Sequence, residues 1–432
     1  MKKRVFALLC ALLLLTGAVP FAAAQEGDTL RAADTLNTLG LVNGTGDGDY
    51  ALESPATRAQ AAVLLVRLAG AEKTAAAGQW FSGYRDVPAW AAVAVHYAVR
   101  QGWIDSPATA GLDFHPDQAI TADAWFTALL RMLGYQDEDF SSEDAALFAR
   151  HIGLTPLTYT GTLTRGALFA TMVDALSFSY HDGSATVLGR LLENGVVSRS
   201  AANALGLMDQ TLTPRQIADR CTAAVFRLDN YAKQFEVEAQ VPSSDASGFF
   251  ISPDGVAVTN YHSIEGAIYA TVTLSTGETY PIDRVLYYDP DIDIAVIQVS
   301  KTSLDHRTTS AFACLDIAPS GAEAVRTGDT VYAIGSPLGL GLTVSTGIIS
   351  ATGREVEGYT LPCLLNTADI SRGSSGGALM NAMGQVIGVT TGAYTFGNSM
   401  YLAVPIDPVR SADLSGEGWT LKEVKALESQ AS

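Results

Sequence analysis

The sequence predicts a chain of two fold classes: an all-α region from about residue 28 to 182, then an all-β region of short antiparallel strands from about 236 to 410. Three observations predict it. Helical segments that each open on a threonine recur through the first region. After VPSSDASG (241–248) the pattern changes to short Val/Ile/Thr/Tyr runs separated by glycine turns. Within that second region one serine, Ser375, sits in a bed of glycines, NTADISRGSSGGAL (366–379), between two apolar segments.

Taken in order, residues 1–24 read as a secretory leader. Lys2, Lys3 and Arg4 precede an apolar core from Val5 to Leu15, and Ala22-Ala23-Ala24 supply small residues for cleavage before Gln25. Export of the mature chain is the expectation. Residues 25–182 hold the helical repeats, clearest in TRAQAAVLLVRLAG from Thr57, TADAWFTALLRMLGY from Thr121 and TRGALFATMVDAL from Thr164. Each threonine can accept the unpaired N–H groups of the helix it opens, and Gln60 completes a capping box with Thr57. Apolar residues then follow at helical spacing. Trp90, Trp103 and Trp125 alternate with alanines on these faces and are expected in the core. Residues 183–235 carry two further helical patterns, VLGRLLENGVV and PRQIADRCTAAVFRLDNYA, expected as a connector whose second helix packs on the β region. Residues 236–410 form the β domain, a sandwich or barrel, and 411–432 a C-terminal tail.

Composition narrows the function. At 432 residues, 48% hydrophobic and 17% charged, most of the chain should fold, as two or three domains. A formal net charge of −18 argues against nucleic acid and anionic membrane surfaces as partners. Cys221, Cys314 and Cys363 are too widely spaced for a zinc site or a disulfide framework. GTGDGDY (44–50) and DPDIDI (289–294) lack the ligand spacing of a calcium loop, so no metal or cofactor is expected.

The chemistry lies around Ser375. A serine hydroxyl is a weak nucleophile and needs an imidazole to take its proton and backbone N–H groups to hold the oxyanion. Gly373, Gly376 and Gly377 allow the chain to curl its amides towards one point. The bland alternative is a glycine-rich hairpin. GSSGG also satisfies G-x-S-x-G, whose histidine follows the serine. None of the six histidines, His96, His115, His151, His181, His262 and His306, follows Ser375. The remaining order is histidine, aspartate, serine, that of the chymotrypsin class. His262 ends an apolar strand that follows the Pro253-Asp254-Gly255 turn, and His306 lies in a polar run. Asp293 opens DIAVIQV, an apolar run long enough for a buried strand, which would draw its carboxylate towards the core. Asp289 and Asp291 decorate the turn before it.

TNYH, DIDIAVI and ISRGSSGGAL resemble, in order, the three active-site blocks of the HtrA (Deg) family of trypsin-like serine proteases. The resemblance implies a double six-stranded β-barrel, His262 as general base, Asp293 as its orienting acid and Ser375 as nucleophile. It also implies an oxyanion hole from the amides of Gly373 and Ser375, with Ser374 as a third candidate, and polypeptides as substrates. Too few residues follow Asp407 for the PDZ domain many relatives carry, and a homotrimer is an assembly the resemblance allows. Ser263 and Arg372 depart from the family pattern. Asp369, six residues before Ser375 where trypsin has its selector for basic side chains, is a candidate substrate-binding residue.

Residues 84–135 resemble an S-layer homology (SLH) module through DVPAW, AVAVHYAVRQGWI, FHP and ITADA. That resemblance implies cell-wall polysaccharide as a partner, held with Arg58 and Arg165; Ala122 replaces the middle arginine and no glutamate follows any of the three. The combined expectation is an exported, wall-associated serine endopeptidase that cleaves unfolded or misfolded envelope proteins. The alternative is a silent chaperone-like or wall-binding protein on a protease scaffold.

Overall fold

The computed structural model describes residues 21–44, 49–78, 84–105, 113–208, 211–319, 325–337, 341–393 and 399–431. The expected leader lies outside these residues except for 21–24, which open a helix at Phe21–Thr38. Most of GTGDGDY also lies outside them. Among the described residues no helix is long and apolar enough to cross a membrane. The chain divides into two compact units, Met1–Tyr135 with Tyr159–Met208, and Gln136–Thr158 with Asp209–Ser432.

The first unit is helical and closes around a ring. Thr57, Thr121 and Thr164 cap the helices Arg58–Leu68, Ala122–Met132 and Arg165–Leu176, each accepting the amide three residues on. One residue before each cap, a backbone amide crosses to another repeat: Ala56 to the Leu163 carbonyl, Leu163 to Ile120 and Ile120 to Ala56, at 2.9, 3.0 and 2.8 Å. The first helical amides do the same, with Arg58 donating to Gln118, Ala122 to Gly161 and Arg165 to Ser54. The N–H groups that a helix start leaves without internal partners are thus satisfied by the neighbouring repeat, which explains why the motif recurs three times. Trp125 is fully buried and its indole N–H donates to Thr171 at 2.9 Å. Trp90 departs from the expected core position, with 61% of its surface exposed.

In the second unit the resemblance's double barrel is present. Strands β1 (Val225–Tyr231), β2 (Ser244–Phe250), β3 (Val256–Thr259), β4 (Tyr269–Thr273), β5 (Thr279–Asp289) and β6 (Ile294–Val299) close in the order β1-β2-β3-β6-β5-β4. Strands β7 (Thr330–Gly335), β8 (Thr343–Arg354), β9 (Cys363–Asn366), β10 (Ala378–Asn381), β11 (Val386–Ala393) and β12 (Tyr401–Pro405) close as β10-β11-β12-β9-β8-β7. Alternate side chains leave opposite faces of a strand, and here both faces are buried. Phe226, Phe250, Ala257, Ala295 and Ile297 fill the first barrel. Their neighbours Val225, Phe249, Val258, Ile294 and Val296 pack instead with Tyr332, Ile334, Met380 and Val389 of the second. Two-sided burial is why these strands read as continuous apolar runs.

The division differs from the expected boundaries in three places. The helix expected across 214–232 stops at Cys221, and VFRLDNY becomes β1, because its alternate residues Phe226 and Leu228 fill the barrel. Residues 136–158 belong to the barrel unit, where His151 is buried against Glu278 and Phe312. The tail is a docked helix, Leu421–Ala431, that buries Leu421 and Val424 in the first barrel's core.

Candidate active site

His262 and Asp293 stand at the ends of neighbouring strands. β3 runs into a short turn, Tyr261–Ser263, that carries His262, and Asp293 immediately precedes β6, the strand paired with β3. Asp293 has φ 56°, the left-handed region, which aspartate tolerates better than most residues at about 1 kcal/mol. Two contacts hold it there: the Asn260 amide donates to its carbonyl at 2.9 Å, and the His262 backbone N–H donates to Oδ1 at 3.0 Å. Its carboxylate then lies 2.9 and 3.0 Å from His262 Nδ1. Since an ionised carboxylate only accepts, Nδ1 carries the proton and Nε2 keeps its lone pair. Asp293 is buried, whereas 44% of the His262 side chain is exposed, so the ring can be reached from outside the protein.

Ser375 comes from the loop between β9 and β10. Gly373 (φ 93°) and Gly376 (φ 85°) take left-handed conformations on either side of it. A Cβ at Gly376 would lie 2.1 Å from the Ser247 carbonyl, so no other residue fits. Among the described residues neither the Gly373 N–H nor the Ser375 N–H has an acceptor within the protein, as two oxyanion donors require. Ser374 does not join them, because its amide is bonded to the Ser371 carbonyl at 2.9 Å.

Thr391, which the sequence reading did not single out, links the two halves. Its hydroxyl donates to Asp293 Oδ2 at 2.7 Å, and its carbonyl accepts the Ser375 hydroxyl at 3.0 Å. The nucleophile candidate therefore rests on Thr391 and not on the imidazole. Tyr359 lies 2.9 Å behind, and since the Thr391 proton points at Asp293, the Tyr359 hydroxyl is the donor of that pair. Burial pushes the Tyr359 hydroxyl pKa up, which keeps it a donor. Only a three-dimensional contact could reveal Thr391, since VTTGA carries no active-site pattern of its own.

The other candidates fall outside this cluster. Asp369 is exposed, accepts the Tyr401 hydroxyl through Oδ1, and takes the Ser345 hydroxyl on its carbonyl at 2.7 Å. Asp289 builds the turn before β6 by accepting the Asp291 and Ile292 amides at 2.9 and 3.3 Å. Arg58 and Arg165, in the helical unit, are half-buried and similarly held. Arg58 donates to the Phe114 carbonyl at 3.3 Å and stacks on its ring; Arg165 donates to the Tyr50 carbonyl at 2.9 Å beside Phe169. Among the described residues no group of three or more His, Cys, Asp or Glu could hold a metal ion.

With this geometry in place the chain can be compared with known proteins. Residues 246–389 match the family model of the trypsin-like peptidase domain. A putative serine protease, HhoA, of Synechocystis is 31% identical over 224 residues, covering 50% of this chain and 54% of that protein. A probable periplasmic DegP-like serine endoprotease of Chlamydia pneumoniae is 38% identical over 160 residues, covering 37% of this chain and 30% of that one. The chain thus spans about half the length, or less, of these curated relatives. The crystal structure of a serine endoprotease from Yersinia pestis aligns at 28% identity with a TM-score of 0.38, covering 46% of this chain and 64% of that one. The family-model match falls in the barrel unit and spans all three sequence blocks, which lie at its strand ends.

Proposed function

We propose that the barrel unit is a serine endopeptidase of HtrA type in which Ser375, His262 and Asp293 act as nucleophile, base and orienting acid. The observation that carries this reading is the convergence on Thr391, whose two oxygens hold Asp293 and Ser375 at once. In the reaction, the Ser375 hydroxyl turns about its Cα–Cβ bond from the Thr391 carbonyl to His262 Nε2. It attacks the scissile carbonyl as the imidazole takes its proton, and the oxyanion is met by the Gly373 and Ser375 amides. The imidazolium, steadied by Asp293, then protonates the leaving amine, and water releases the acyl group by the same steps in reverse.

The chain would act on unfolded or misfolded polypeptides outside the cytoplasm, held at the cell wall by the helical unit through Arg58 and Arg165. Assembly as a homotrimer belongs to the same reading. Asp369 would favour Lys or Arg before the scissile bond; preferential cleavage of peptides with Val at that position would remove it from the specificity site. Recovery of the full chain on purified cell walls should drop on changing Arg58 and Arg165 to Ala, and unchanged recovery would leave the helical unit as a spacer.

The resting bond from Ser375 to Thr391 also favours a second reading, a binding protein whose serine never reaches its base. Casein cleavage together with labelling by a fluorophosphonate distinguishes them. An endopeptidase is labelled at Ser375 and loses cleavage in proportion; a silent scaffold does neither.

A further inference from the structure

Ser247 lies in β2 of the first barrel with no exposed surface, yet two of its three polar groups act on the nucleophile loop of the second barrel. Its hydroxyl donates to the Gly373 carbonyl and its backbone N–H donates to the Ser375 carbonyl, both at 2.7 Å. The other contacts hold Ser247 itself. Its carbonyl accepts the Thr259 hydroxyl at 2.7 Å, and its hydroxyl oxygen accepts the Ser336 amide at 2.8 Å. A buried serine usually satisfies itself on its own backbone or a neighbouring turn. This one gives both its donors to Gly373 and Ser375, the two proposed oxyanion donors.

The consequence is geometric. The peptide joining Gly373 to Ser374 is fixed at both ends, its carbonyl by the Ser247 hydroxyl and its N–H by the Ser371 carbonyl. The Gly373 and Ser375 amides lie on either side of that clamped plane. Gly373, at φ 93°, has the rotational freedom of a glycine, and the Ser247 contact on its carbonyl restrains it. Oxyanion donors are effective only when held in place before the charge develops.

We propose that Ser247 is a positioning residue that sets the oxyanion donors Gly373 and Ser375 from across the barrel interface. The inference rests on the proposed role of Ser375 and adds a residue to it. The test is Ser247→Ala in the full chain, with active sites counted by fluorophosphonate and turnover expressed per counted site. Removing a direct oxyanion donor lowers kcat about 100- to 1000-fold; acting through the loop, Ser247 should account for roughly 10- to 100-fold. KM should change little, and affinity for a peptide trifluoromethyl ketone, which reproduces the tetrahedral centre, should fall by the same factor as kcat/KM. The acid limb of the pH profile should stay in place, because the His262–Asp293 pair is untouched. A purely structural serine would lower the number of active sites and leave turnover per site at the wild-type value, which overturns the proposal. Ser247→Cys fills the same space with a weaker donor and gives the same reading in milder form if the alanine variant does not fold. Wild-type protein that takes no label removes the proposed function itself, and this proposal with it.

Discussion

Among the described residues the barrel unit contains two imidazole–carboxylate pairs of the same length, and they differ in what can reach them. His262 Nδ1 lies 2.9 Å from Asp293 Oδ2, and His151 Nδ1 lies 2.9 Å from Glu278 Oε2. Each has a hydroxyl within the same network, Ser375 through Thr391 for the first and Thr309, at 3.3 Å from His151 Nε2, for the second. What differs is access. The His262 side chain is 44% exposed and that of His151 3%, its ring enclosed by Phe148, Tyr280 and Phe312. The Thr309 proton goes to the Ala311 carbonyl at 2.7 Å. With Nε2 open, the constellation can pass a proton to a reacting group. With Nε2 sealed, it is a strut that holds segment 136–158 on the first barrel.

The comparison is broken most directly by removing the two hydroxyls. Ser375→Ala should lower turnover by about six orders of magnitude, as loss of a triad nucleophile does, while Thr309→Ala leaves turnover per active site unchanged. The two carboxylates come next. Asp293→Asn should cost roughly four orders of magnitude, because an amide facing Nδ1 favours the wrong tautomer. Glu278→Gln should leave turnover per site intact and instead destabilise the fold by about 3 kcal/mol, the scale for breaking a buried ion pair, measured by denaturant unfolding. A large loss of turnover at Glu278 would erase the distinction between strut and site.

How much of this was legible in the sequence follows from how local each feature is. Ser375 in GSSGG, His262 at the end of a strand and Asp293 at the start of one are marked by their neighbours along the chain. So are the threonine caps at 57, 121 and 164, each of which caps a helix through its own next turn. The features that went unread depend on residues far apart. Thr391 gains its role from Asp293, Ser247 from Gly373 and Ser375, and His151 from Glu278, and no pattern in VTTGA, DASGF or FARHI announces those partners. Trp90 differs for the opposite reason: it obeys the local helical pattern, but its unit leaves most of the side chain exposed. The stretch that forms β1 is ambiguous in sequence because a helix and a two-sided strand are both apolar over so short a run.

Smaller effects sharpen the comparison. Thr391→Val removes one hydrogen bond to the Asp293 carboxylate, an interaction of about 1.5–3 kcal/mol. The carboxylate that orients the imidazole is then held by one contact fewer. Turnover should fall roughly 10-fold, and unchanged turnover per active site would separate Thr391 from the base.

The pH dependence of stability isolates the sealed pair. Burial alone would raise the Glu278 pKa, but hydrogen bonds from His151, Thr276 and Tyr280 and the charge of His151 outweigh it and hold it below the ordinary glutamate value of 4.5. A carboxyl whose pKa is lower in the folded protein takes up its proton first in the unfolded chain. Its contribution is therefore complete above about pH 4.5 and is lost as the pH falls towards the lowered native value. The difference in melting temperature between wild type and Glu278→Gln should therefore shrink as the pH falls below that point. A difference that does not shrink below that point would mean that the segment is held by something other than the Glu278 carboxylate, and the strut would have to be sought among the rings around His151.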